Sequence, residues 1–320
     1  MPFRKGNVVT TKYQLGSGAV DQKTRMIVYV QNTHFDLSAA LHDSSVNKLL
    51  SLEHNELPEA LLNMMQQWKY WNKTLPQVVE YLERDGDKYQ LDTSVIRWLP
   101  PLQYPNKLIC LGANYKDHNQ EMGNTTRDKY PFTFLKPPTT ALVGAGETVR
   151  LPEYAKMIDW EVELAVVIGE KTRNVHGDDV MKSIAGYSIL NDISARDWVP
   201  REEQSFMGFD WIMLKGFDGS APMGPYITPA EFVPDPQTLN LSLTLNGEIK
   251  QNANTASMVF TVHEIIEHLS RVLTLEPGDV IATGTPSGVG YGRKPPEFLH
   301  SGDRMIATVE GLGSLETTLQ

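Results

Sequence analysis

Apolar and polar positions follow one rhythm up to about residue 100 and another after it. In the first part, Met26-Ile-Val-Tyr-Val30 is a short run rich in β-branched residues and predicts a strand. From Leu37 to about Leu82 apolar residues recur at helical spacing, with interruptions expected at Pro58 and Pro76. Trp68, Tyr70, Trp71 and Tyr81 lie in that stretch, and the spacing predicts a face packed on a neighbour rather than a ligand platform. Prolines 100, 101 and 105 then favour extended backbone. They place a boundary between a small N-terminal α/β domain, 1–103, and a second domain, 104–320. From Lys107 the chain turns to short apolar runs separated by turn signals. Leu108–Leu111, Leu164–Ile168 and Val280–Thr283 read as buried strands, the last entered from Pro277-Gly278. Leu239, Leu241, Leu243 and Leu245 alternate toward Asn246-Gly247, a strong hairpin signal. Met305–Val309 with Gly311–Gly313 predicts a final hairpin, and Val262–Leu273 the one long helix. Many short strands with few helices predict a mainly β protein with a closed or rolled sheet.

Composition narrows the class. Over 320 residues, 41% are hydrophobic and 21% charged, which excludes disorder and coiled coil. No apolar run reaches the length of a membrane span, and the basic N-terminus lacks the apolar stretch of a secretory signal, so a cytoplasmic location is expected. Cys110 is the single cysteine, which rules out an internal disulfide framework and a cysteine-based zinc cluster. The net charge of −10 argues against nucleic acid and anionic membranes as partners. The excess acid is not uniform. Residues 1–100 carry 11 basic and 11 acidic side chains, and residues 101–320 carry 18 and 28. Two other signals fail on spacing. His263 and His268 are five apart, too far around a helix to share a metal, and Gly284–Gly292 lacks the Lys-Ser/Thr ending of a phosphate loop.

Three constellations carry candidate chemistry. In Asp159-Trp-Glu161-Val-Glu163, side chains two apart on a strand point to one face, so Glu161 and Glu163 stand side by side with Asp159 in line. A hard divalent cation relieves such a pair, and a solvent-facing acidic edge is the alternative. Asp192, ending the strand-like Ala185–Leu190 run, offers a third carboxylate oxygen or a turn cap. His118 and Glu121 are three apart, so on a helix the carboxylate would orient the imidazole as a general base.

Together with Phe134-Leu-Lys136-Pro, Asn191–Asp197, Lys215-Gly-Phe-Asp218 and Pro277–Gly290, these stretches closely resemble the fumarylacetoacetate hydrolase superfamily from about residue 107 to the C-terminus. The resemblance implies a β-roll or mixed β-sandwich catalytic domain with a few short helices. It implies that Glu161, Glu163 and Asp192 bind a divalent cation, Mg²⁺ first, with Mn²⁺ or Ca²⁺ as alternatives. The partner would be a small anionic 2-oxo acid. Lys215 and Arg196 would contact it, Lys136 and Thr285 would add binding positions, and Lys215 would also stabilise charge in the reaction. His118 and Glu121 would form the dyad of a mobile lid spanning Gly112 to about Tyr130. A homodimer is the expected assembly. Val199 stands where relatives often carry glutamine, which puts the substrate in question more than the metal site. The leading expectation is hydrolysis of a C–C bond in an acylpyruvate-like or fumarylpyruvate-like acid through a metal-stabilised enolate. Decarboxylation or tautomerisation of an oxaloacetate-like acid on the same site is the alternative, and a non-catalytic binding protein the third.

Overall fold

The computed structural model describes residues 11–50, 57–123, 128–198 and 210–320. It is mainly β, as the sequence pattern predicts. One sheet runs, in spatial order, through Gln90–Leu91, Thr33–Asp36, Lys23–Val30, Tyr13–Val20, Tyr226–Pro229, Ile184–Asn191, Val162–Ile168, Val280–Ala282, Leu108–Gly112 and Phe132–Leu135. Arg97–Leu99 pairs off this path with Tyr13–Val20. A second sheet is ordered Glu248–Asn254, Asn240–Leu245, Arg304–Val309, Gly313–Leu319 and Thr148–Val149. The Asn246-Gly247 turn has positive φ at both residues, 52° and 86°, as a two-residue hairpin of this twist requires.

Val162–Ile168 is buried at every position because it lies between two apolar clusters. Val162, Leu164, Val166 and Ile168 join the cluster shared with the five-stranded sheet, whereas Ala165 and Val167 face the cluster that includes the N-terminal helices. The helix Trp68–Asp85 turns Trp68, Trp71, Leu75, Val78, Val79 and Leu82 into that second cluster, and the aromatic stripe is a packing face, as its spacing predicts. Pro76 does not interrupt this helix. Its ring costs a backbone hydrogen bond, but the buried face on both sides holds the helix through it. Val262–Val272 forms the expected helix, started by a reciprocal capping box between Thr261 and Glu264. Tyr13–Val20 joins Tyr226–Pro229 by an antiparallel register, so the long sheet crosses the boundary proposed at 103/104. No described helix is long and apolar enough to cross a membrane.

Candidate active site

Strand register builds the acidic cluster. Val162 pairs with Asn191, so one step further Glu161 lies opposite Asp192, and the Asp192 amide donates to Glu161 O at 2.9 Å. Glu163 points to the same side as Glu161, while Val162 between them is buried in the opposite core. Carboxylate oxygens of Glu161, Glu163 and Asp192 all lie within 4.8 Å of one another. Asn191 fixes the bend by accepting from the Glu161 amide at 2.9 Å.

Three cations hold two of these acids. Lys215 Nζ donates to Glu161 Oε2 and Asp192 Oδ2, both at 2.8 Å. It is the last residue of the short helix Trp211–Lys215, which Asp210 caps by accepting from the Ile212 and Met213 amides. Arg196 donates through Nε to Asp159 Oδ2 at 2.9 Å and through its other nitrogen to Glu161 Oε1. Lys136 donates to Asp192 Oδ1, to Ile193 O at 3.1 Å and to Ser220 O at 2.8 Å. Burial would push the Glu161 carboxyl up, but Lys215 and Arg196 outweigh it and hold it at about 2. The same burial pushes the Lys215 ammonium down, and Asp192 with Glu161 reverses that, leaving it raised.

Glu163 is different. Its Oε2 accepts from the Gly284 amide at 2.7 Å, and its buried Oε1 has no partner. Burial first, then Asp192 and Glu161, push its carboxyl well above the usual range. A buried, half-satisfied carboxylate beside two others is costly by itself. The unused oxygen and the all-oxygen donor set fit a hard divalent cation, which would take these three residues as ligands.

The sequence-identified residues divide by position. His118, Glu161, Arg196, Lys215 and Thr285 line one cavity of about 300 Å³. Lys136, expected to touch the substrate, lies behind Asp192 with all three ammonium protons given to protein acceptors, so it positions that carboxylate instead. Thr285 donates to Val162 O and accepts from Gln251 Nε2, which leaves it only a lone pair to offer a ligand. Asp159, in line with the glutamates in the sequence, faces elsewhere. It accepts from Arg196 and from the Trp160, Gly290 and Tyr291 amides. Gln251 carries no motif signal, because a buried amide that joins distant loops leaves no local pattern.

His118 and Glu121 lie on the helix Lys116–Glu121, three residues past the strand Leu108–Gly112. Asn114 roots the helix by donating to Thr283 O at 2.7 Å and accepting from the Phe260 amide at 2.8 Å. His118 Nδ1 meets Glu121 Oε2 at 3.4 Å, and Nε2 is the nitrogen left for a substrate or water. The helix is docked. Glu121 accepts from the Gly288 amide at 3.1 Å, and Asp117 accepts from the Ser287 hydroxyl at 2.6 Å. Residues 124–127 of the expected lid, and Val199, lie outside the described residues.

Ser287→Ala removes one hydrogen bond worth about 1 kcal/mol, so kcat/KM should fall roughly fivefold while metal affinity holds. Amide exchange in Lys116–Glu121 should be faster in that variant and should slow when oxalate and Mg²⁺ are added; equal protection in all states would show that the helix is no lid. Gly288 has a φ of 98°, and a Cβ there would sit 2.2 Å from Lys250 O. Gly288→Ala should therefore cost at least ~1–3 kcal/mol in chemical denaturation.

The family model for the fumarylacetoacetate (FAA) hydrolase C-terminal domain matches residues 107–320, which contain every residue of this site. The chain belongs to the fumarylacetoacetate hydrolase family. Among family relatives, the mitochondrial oxaloacetate tautomerase Fahd2a of Rattus norvegicus is 43% identical over 220 residues, covering 69% of this chain and 68% of that protein. Oxaloacetate tautomerase YisK of Bacillus subtilis is 36% identical over 278 residues, covering 85% and 89%. The fumarylacetoacetate hydrolase of Exiguobacterium antarcticum superposes with a TM-score of 0.76 at 30% identity, over 96% of this chain and 99% of that one. Fumarylpyruvate hydrolase of Pseudomonas aeruginosa, solved with Mn²⁺ and pyruvate, gives 0.60 at 32% identity, over 70% and 91%. The family is that of an enzyme, and these relatives include tautomerases as well as hydrolases.

Proposed function

We propose that this chain interconverts the keto and enol forms of a small anionic 2-oxo acid, on a divalent cation held by Glu161, Glu163 and Asp192. The carrying observation is that one cavity of about 300 Å³ brings a carboxylate-backed imidazole, His118, together with Glu161, Arg196 and Lys215 of the buried charged cluster. Resemblance to two proteins named oxaloacetate tautomerases supports this reading over C–C hydrolysis. Mg²⁺ is the ion we propose, with Mn²⁺ the first alternative.

When bound, the cation supplies a Lewis acid that favours the enolate form of the 2-oxo acid. The chain's own groups do the rest. His118 takes the proton from C3 and returns it in the reverse direction, while Glu121 keeps the ring oriented and steadies the imidazolium. Lys215 adds a positive charge beside the oxygen that becomes negative, and Arg196 keeps Glu161 in place. Lys136 holds Asp192 from behind. The C2 oxygen gains a proton from water as the enol leaves and His118 gives the C3 proton back to water, so the two transfers cancel and nothing is consumed.

Hydrolysis is the second reading, because the same dyad would activate water against a second carbonyl. Resemblance to a fumarylpyruvate hydrolase favours it. The test follows the ultraviolet absorbance of enol-oxaloacetate and, separately, of an acylpyruvate, with Mg²⁺, Mn²⁺ or EDTA. Accelerated relaxation of oxaloacetate that EDTA abolishes is expected. Acylpyruvate cleavage with oxaloacetate relaxing only at the buffer rate would select hydrolysis, and no effect on either substrate with any metal would overturn both readings.

A further inference from the structure

The lining of the cavity that reaches this site is of two chemical kinds. Glu161, Arg196 and Lys215 are charged, and Met122, Phe132, Phe134, Trp211 and Leu214 are apolar. Phe132 and Phe134 alternate along the strand Phe132–Leu135, at the edge of the long sheet, so both rings face the cavity. The Phe134 ring stacks on Trp211 with centroids 4.9 Å apart and planes at 18°, and Phe132 meets the same indole at 5.3 Å. Lys215 Nζ lies 5.4 Å from the Phe134 centroid, which marks where charge gives way to aromatic surface. Phe132 is 48% exposed, so packing alone does not account for an aromatic residue there.

We propose that this wall is a subsite for the substituent on C3 of the substrate, and that the preferred substrate is a 2-oxo acid carrying an apolar, best an aryl, group there. The inference rests on the keto–enol reading above and names the substrate class for it. Aromatic faces are electron-rich and repel a carboxylate, whereas an aryl ring stacks on them. The arginine and lysine among the described lining residues each spend two donors on acids, Arg196 on Asp159 and Glu161, Lys215 on Glu161 and Asp192. A second carboxylate, such as oxaloacetate carries, would be desolvated against the wall, and the nearest positive charges are already balanced by buried acids. A phenyl group in the same place buries apolar surface on both partners.

The test compares phenylpyruvate with oxaloacetate in keto–enol relaxation, using the full chain with Mg²⁺. Phenylpyruvate should show a kcat/KM higher by ~10–10²-fold. In Trp211→Ala the ratio of the two kcat/KM values should fall at least tenfold. Phe132→Ala, at a half-exposed position that tolerates truncation, should lower the ratio in the same direction. Oxaloacetate turned over as fast as phenylpyruvate, or a ratio unchanged in both variants, would overturn the subsite while leaving the keto–enol reading standing. Relaxation of neither acid above the buffer rate would bring down that reading and the subsite with it.

Discussion

Replacing His118 by alanine should lower kcat for keto–enol conversion by ~10²–10⁴-fold, the usual contribution of a positioned proton carrier. The loss should fall on kcat, because His118 lies on the docked helix over the cavity and is not one of the clustered carboxylates. Mg²⁺ affinity measured by calorimetry should stay within about twofold. Glu121→Ala should approach the same loss, since Glu121 both faces His118 Nδ1 and ties the helix to the Gly288 amide. The double variant should be little worse than either single one, as groups that act as a unit give non-additive losses. If the two losses multiply, the residues do not work as a dyad. Full activity in His118→Ala would mean that another group moves the proton.

The second large effect is expected at Glu163. Glu163→Gln should weaken Mg²⁺ and Mn²⁺ binding by more than ~10²-fold and reduce metal-dependent turnover to the background rate. The change of one atom keeps an oxygen for the Gly284 amide and removes a charge from beside Asp192 and Glu161. The same variant should unfold at a higher temperature than the wild type when both are kept in EDTA. Without metal, Glu163 either repels Asp192 and Glu161 or takes up a proton that the unfolded chain would not hold, and the neutral amide avoids both costs. Added Mg²⁺ should stabilise the wild type and leave the variant unchanged. A variant that keeps wild-type metal affinity would show that Glu163 is no ligand, and one less stable in EDTA would show that its unpartnered oxygen is a packing feature.

Lys215 and Arg196 are less informative to mutate. Each is buried against acids in a shared ion-pair network, and removing one partner of a buried pair costs ~3–5 kcal/mol. Loss of activity in those variants would mix chemistry with unfolding. Glu163→Gln and His118→Ala avoid this, because neither leaves a buried charge without its partner.

The sequence by itself determined the parts of this protein whose physics is local. Period-two alternation in Leu241–Leu245 and the Asn246-Gly247 turn specify a hairpin without help from the rest of the chain. Two glutamates two residues apart specify a shared face, and a histidine with a glutamate three residues on specifies neighbours on a helix. Strand Tyr13–Val20 was not legible, because Gly16 and Gly18 interrupt the apolar pattern. They are there because a Cβ at Gly18 would lie 2.6 Å from Ile96 and 2.8 Å from Ile27, a contact that exists only once the sheet has formed. Pro76 misled for the opposite reason: a local helix breaker is outweighed by the packing of Trp71, Leu75 and Val79 around it. At the site, tertiary structure decided which cations face the substrate. Nothing in the residues around Lys136 and Lys215 distinguishes them, yet one lies behind Asp192 and the other in front, lining the cavity. The aromatic wall has the same origin. Trp211 lies nearly eighty residues from Phe132 and Phe134 in sequence, and only the closure of an edge strand against a short helix makes them one surface. Spacing along a chain fixes which side chains share a face. Which faces meet is set by long-range burial, and that is where substrate choice is decided.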